Sequence, residues 1–234
     1  MIICYSKEID ERKNKFLKMS HEEYDKYMCE KYPVMFRERK LPMSQTCMCW
    51  SFDIGKGWYW ILDNLCERLD FLFKQSKNRA IFTQIKEKFG GARFYHYTES
   101  MIKTCQRKLR KIDPVSNKHW QEIIDNEISR AEELCDYYCA ECGESKHDMI
   151  SVGSWVYDLC EKCLEKKRPE AVKIWKEYKD LEANIGDFLR SGSKEEIQKL
   201  KNLISFWKGE IDTNPTNEKE QTKKQKKQKK QKKS

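Results

Sequence analysis

Two cysteine pairs carry the most specific chemistry in this chain of 234 residues. Cys139-Ala140-Glu141-Cys142 and Cys160-Glu161-Lys162-Cys163 are separated by 17 residues, which gives C-x2-C-x17-C-x2-C. Each such pair turns two sulfurs toward one point, and a second pair folded across the first completes a tetrahedral thiolate site. Gly143 permits the sharp turn that follows a knuckle of this kind. The spacing therefore predicts one structural Zn2+ per chain, held by Cys139, Cys142, Cys160 and Cys163, with no coordination position left for substrate. A redox dithiol and an iron–sulfur site are the alternatives, but a redox C-x-x-C normally occurs once, beside a βαβ pattern that the sequence does not display. Cys66 and Cys135 fall on apolar helix faces and read as core, while Cys4, Cys29, Cys47, Cys49 and Cys105 lack ligand spacing.

Lys86, Lys88, Arg93 and Tyr95 form a second constellation, with Tyr97 beyond them. Positive charge interleaved with aromatic rings is the chemistry of single-strand nucleic-acid binding, and ordinary cross-strand packing is the competing explanation. A third group, Asp53 with Gln84-Ile85-Lys86, is similar to the acid and Gln/Glu-x-Lys arrangement of metal-dependent nucleases. It lacks a second acid, so no catalytic residue is assigned. A Gly-rich phosphate loop, a Ser-His-Asp arrangement and an HExxH motif are all missing from the sequence.

Charge is distributed unevenly. The net charge is +9, yet Lys223, Lys224, Lys226, Lys227, Lys229, Lys230, Lys232 and Lys233 contribute eight of it, leaving about +1 on the rest. A uniformly basic body that wraps duplex DNA by charge alone is thereby excluded. The Lys/Gln segment has no apolar residue to bury and is expected to be disordered, free to contact nucleic acid, an anionic membrane or an acidic protein. No run approaches the length of a membrane span, and the N-terminus lacks a signal-peptide pattern. Eleven cysteines, an odd number, argue against a disulfide framework and for a reducing cytoplasm. The basic segment would allow nuclear entry in a nucleated host.

The elements that must position these residues follow from periodicity. Residues 1–45 read as an N-terminal helical segment, with Ser20 and Glu23 as a capping box and Pro33 as a stop. Residues 46–138 read as an α+β core. Within it Ser51 to Ile54 is a short strand, Gly55-Lys56-Gly57 a turn, and Trp58 to Phe73 an amphipathic helix. Ala80–Phe89 and Ala92–Tyr97 make a hairpin whose Gly90-Gly91 supplies positive φ, and a helix runs from Asn117 to Tyr138. Residues 139–163 are the four-cysteine module, with Met149–Val152 and Trp155–Tyr157 as short strands. Residues 164–209 carry two helices, the second capped by Ser193 with Glu196 and stopped at Gly209, and residues 210–234 are the basic tail. The fold class is α+β.

In this order the segments Lys31-Tyr32-Pro33, Thr46-Cys47-Met48-Cys49-Trp50, Gly55-Lys56-Gly57-Trp58-Tyr59, Leu62 to Cys66, Gln84 to Tyr95 and Cys139 to Gly143 are similar to a family of uncharacterised proteins of bacteriophages, prophages and some large viruses. The resemblance spans residues 31–163 and rests chiefly on the hairpin motif preceding a cysteine pair. Ala92 replaces the usual leucine, Cys163 stands where many members have histidine, and residues 165–234 are additional. The resemblance implies the hairpin and the zinc module but no activity. The combined expectation is a viral-type zinc accessory protein that binds nucleic acid without catalysis. The alternative is an adaptor that binds a host or viral protein.

Overall fold

The computed structural model describes residues 2–100, 114–146, 148–191 and 193–207. The described residues divide into two compact units, those of 2–150 with 156–167 and those of 151–155 with 168–207.

The first unit opens with helices α1 (Ile2–Leu17) and α2 (His21–Lys31). Ser20 caps α2 as expected: its hydroxyl accepts the Glu23 amide at 3.1 Å and its own amide donates to the Glu23 carboxylate at 2.7 Å. Strand β1 (Phe52–Asp53) leads through a 3-10 turn into α3 (Tyr59–Ser76), and β2 (Asn78–Lys88) returns parallel to β1. This is a parallel crossover, a βαβ unit that the sequence reading did not find. A two-residue β1 is too short to register as a hydrophobic alternation.

Strand β3 (Gly91–Ser100) pairs antiparallel with β2, completing a sheet of order β1-β2-β3. Strict alternation along β2 does not hold. A bulge between Phe82 and Gln84 resets the register, and Ala80, Ile81 and Phe82 are all buried. The hairpin turn also differs from expectation, because its positive-φ residues are Phe89 (54°) and Gly90 (78°), with Gly91 already in β3.

Helix α4 (Pro114–Tyr137) packs on α3 and on β3. It also covers the sheet edge: the Phe94 amide donates to the Glu132 carboxylate at 2.6 Å, and His96 Nε2 bonds Asp125 at 2.9 Å. Backbone groups that would otherwise offer a docking edge are thus occupied by a helix.

Aromatic rings dominate the core. Tyr24 stacks on Tyr59 at 3.7 Å between centroids, and Phe16, Phe52, Trp58, Phe82 and Phe94 are fully buried around them. Cys66 and Cys135 are buried with them, as their helix faces predicted. One carboxylate, Asp63 of α3, is buried but paired with Arg12 of α1 at 3.2 Å and Lys31 of α2 at 2.9 Å, tying three helices together.

Beyond α4, β4 (Ile150–Val152) and β5 (Trp155–Tyr157) pair in a two-stranded sheet, followed by α5 (Glu161–Lys167). In the second unit α6 (Pro169–Ser191) and α7 (Lys194–Trp207) pack on each other, and Ala171, Val172 and Trp175 are buried. Among the described residues no helix is long and apolar enough to cross a membrane. Gly209 and the basic tail lie outside the described residues.

Candidate metal centre

The first cysteine pair is shaped by the backbone that leaves α4. Tyr138 bridges Ser145 in antiparallel fashion, and the Lys146 amide donates to the Tyr137 carbonyl at 2.7 Å. The Cys139 amide donates to Glu144 at 2.8 Å, and the Gly143 amide closes the turn on the Cys139 carbonyl at 2.9 Å. Gly143 has φ 68°, the left-handed conformation for which the sequence reading singled it out. The second pair is built differently, on a helix. Cys160 precedes α5, and its carbonyl accepts from the amides of Cys163 at 3.1 Å and Leu164 at 2.9 Å. The two halves are joined by the Ala140 amide, which donates to the Asp158 carbonyl at 2.9 Å.

The result is convergence of all four predicted ligands. The sulfurs of Cys139, Cys142, Cys160 and Cys163 lie within 4.8 Å of one another, and Cys142 to Cys160 is 3.8 Å. This set is a possible site for one metal ion. Burial pushes the Cys142 thiol up to about 11 and raises Cys163 as well. Burial acts on Cys160 in the same direction, but the Cys163 amide and the neighbouring thiols outweigh it, so its pKa is lowered. Four sulfurs this close cannot all ionise without a cation among them, and a dication bound there would supply the missing charge.

Two glycines seat the knuckle, and the sequence reading took them only for a turn. Gly55 has φ −70° and ψ 150°, a conformation open to any residue, so its local backbone does not demand glycine. The demand comes from contact: a Cβ on Gly55 would strike the Ala140 carbonyl, and one on Gly57 would strike the Cys139 carbonyl and lie 2.5 Å from the Gly143 nitrogen. The Gly57 amide donates to Ala140 at 2.7 Å, and the buried indole of Trp58 donates to the Tyr138 carbonyl at 2.7 Å. Nothing local distinguishes such glycines from turn glycines.

No protein-family model matches the chain, and neither do the curated proteins or the solved structures.

The hairpin residues are brought together on one sheet face. Lys86 lies directly opposite Arg93 and Gln84 opposite Tyr95, with the Lys86 ammonium 5.4 Å from the Tyr95 ring. Lys86, Lys88 and Arg93 make no ion pair among the described residues, whereas Tyr97 is engaged by Arg37 at 2.8 Å and by Glu38 at 2.9 Å. The hairpin tip rests on the cysteine module, where a Cβ on Gly90 would lie 2.7 Å from Val156. The tail lysines from Lys223 to Lys233, and Cys105, lie outside the described residues.

Asp53 is the register neighbour of Lys86 across the parallel β1 and β2 pairing. Asp53 also lines a cleft of about 380 Å³ with His21, Trp50, Phe52, Ile54, Gly55, Glu87 and Asp158. Among the described residues, only the four cysteines form a group of three or more His, Cys, Asp or Glu close enough to hold one metal. Cys47 is exposed, and burial pushes Cys29 up to about 11.

Proposed function

We propose that the chain is a non-catalytic, zinc-stabilised binding protein whose hairpin face contacts single-stranded nucleic acid. The observation that carries this reading is the partly exposed set of Lys86, Arg93 and Tyr95, without ion pairs among the described residues and placed side by side by the strand register, Arg93 donating only to the adjacent Ala92 carbonyl at 2.6 Å. Unpaired cations beside a half-exposed ring engage phosphate and stack a base without sequence preference. The basic tail adds affinity through counterion release.

Zinc is the metal inferred for the cysteine site. A Zn–S bond of about 2.3 Å in a tetrahedron places sulfurs about 3.8 Å apart, which fits the Cys142 to Cys160 separation of 3.8 Å. Cys139, Cys142, Cys160 and Cys163 would hold the ion. Its role is to clamp the knuckle to α5 and to keep the hairpin tip seated. The resemblance to viral proteins supports placing the chain among viral accessory proteins.

The test is a salt titration of binding to single-stranded DNA and RNA by wild type and by Lys86→Ala/Arg93→Ala/Tyr95→Ala. The triple variant should bind at least tenfold more weakly, and its dependence on salt should flatten. Unchanged affinity and slope would remove the hairpin face from the binding surface.

A second reading, an adaptor for a basic polypeptide, is favoured by the cleft alone. Its exposed Trp50 and the carboxylates of Asp53, Glu87 and Asp158 suit an ammonium or guanidinium group. Retention of partners after nuclease treatment of a native purification would favour this reading, and their loss would favour nucleic acid.

A further inference from the structure

We propose that Lys146 is the charge-compensating residue of the metal centre, its ammonium offsetting the negative charge that four thiolates leave around one dication. The inference rests on the zinc reading above. A dication bound by four thiolates carries a net charge of about −2, and a buried anion of that size needs a nearby cation.

Lys146 is unusual for a lysine. Only 8% of its surface is exposed, and its ammonium has no hydrogen-bond partner among the described residues. Burying an unpaired ammonium is costly, so the surroundings must supply compensation. The bond from its amide to the Tyr137 carbonyl places residue 146 beside the end of α4, two residues before Cys139. Its ammonium lies 6.0 Å from the ring of Trp58, whose indole anchors Tyr138; burial pushes its pKa down, and the opposing charges of Asp158, Asp136 and Cys139 work against that shift.

Of the other lysines about the module, Lys13 and Lys167 are already neutralised, and Lys162, between Cys160 and Cys163, is exposed to solvent that screens its charge. Lys13 covers Gly143 with its aliphatic stem, but its ammonium is held by Glu144 at 2.7 Å. Lys167 is held by Glu141 at 2.7 Å. Lys146 makes no ion pair within bonding distance among the described residues, so its buried charge is shared between the carboxylates of Asp158 and Asp136 and the sulfur of Cys139. Metal affinity follows, because a cation beside the ligands lowers the cost of keeping all four deprotonated. The competing role is balance of Asp158 alone.

The experiment compares full-length wild type, Lys146→Met and Lys146→Met/Asp158→Asn. Zinc affinity is measured by chelator competition, and the sulfur-to-metal charge-transfer band is recorded with cobalt(II). Both variants should bind zinc roughly ten- to hundredfold more weakly than wild type. The cobalt band should keep its four-thiolate intensity but move to lower energy, since removing a positive charge beside sulfur raises the donor orbitals. Loss of packing alone would not shift the band in that way. Wild-type affinity in Lys146→Met would overturn the proposal, and so would recovery of affinity in the double variant, which would assign Lys146 to Asp158. Should the single variant fail to fold, the double variant, which leaves no uncompensated carboxylate at 158, decides. A wild-type chain that takes up no zinc would instead sink the metal reading itself.

Discussion

Gly57 and Ala140 are bonded at 2.7 Å, amide to carbonyl, so the segment before α3 holds the residue that follows Cys139. The approach is possible only because residue 57 has no side chain. The cysteine module and the α+β core are thereby joined through closely approaching backbone, and strain at this seam must be felt on both sides.

Gly57→Ala is accordingly expected to destabilise the protein by about 1–3 kcal/mol or more, since the new methyl meets backbone that cannot move aside. Urea denaturation of the zinc-loaded protein measures it, with the exposed neighbour change Lys56→Ala as a control expected to be near neutral. A Gly57→Ala midpoint equal to wild type would disprove the close contact.

Elemental analysis of protein purified without chelator should find close to one zinc per chain. Cys142→Ser should lower that content and loosen residues 139–163, whereas Cys47→Ser, at an exposed position, should leave it unchanged. Equal metal loss in both variants would count against the four-cysteine assignment.

The pair between Arg68 of α3 and Glu127 of α4 is bidentate, at 2.6 Å and 2.8 Å, and it predicts a pH effect. The Arg68 hydrogen bond is the chief cause of a Glu127 pKa held below its ordinary 4.5. A depressed carboxylate adds stability above 4.5 and loses it as pH falls through the folded value. Glu127→Gln should therefore cost about 0.5–1 kcal/mol at pH 7, screened by solvent at the exposed Arg68, and progressively less below pH 4.5. Paired denaturation curves at each pH isolate the difference, and a gap that widens on acidification would contradict the assignment.

Deleting residues 221–234 removes eight lysines and should reduce the slope of log affinity against log salt by up to about 7 for duplex DNA. Binding that survives should belong to the hairpin and prefer single strands. Titrations of full-length and truncated protein give both slopes, and identical slopes would mean that the tail makes no phosphate contacts.

What the sequence determined by itself was whatever depends on short-range pattern. The C-x2-C spacing named all four converging sulfurs, because a tight turn constrains residues three apart regardless of the rest of the chain. The capping box at Ser20, the apolar face of α3 and the hairpin around Gly90 were legible for the same reason. The βαβ crossover was not, because β1 exists only through its pairing with β2 and two residues carry no period. The bulge at Phe82 and Gln84 was equally hidden, since burial of both Ile81 and Phe82 depends on what packs on each sheet face. Tertiary structure alone decided that Gly55 and Gly57 are contact glycines, that α4 covers the edge of β3, and that Lys146 is buried without a bonding partner among the described residues. Each of these depends on atoms from distant segments meeting at a few ångströms, and no local property of the chain encodes which segments meet.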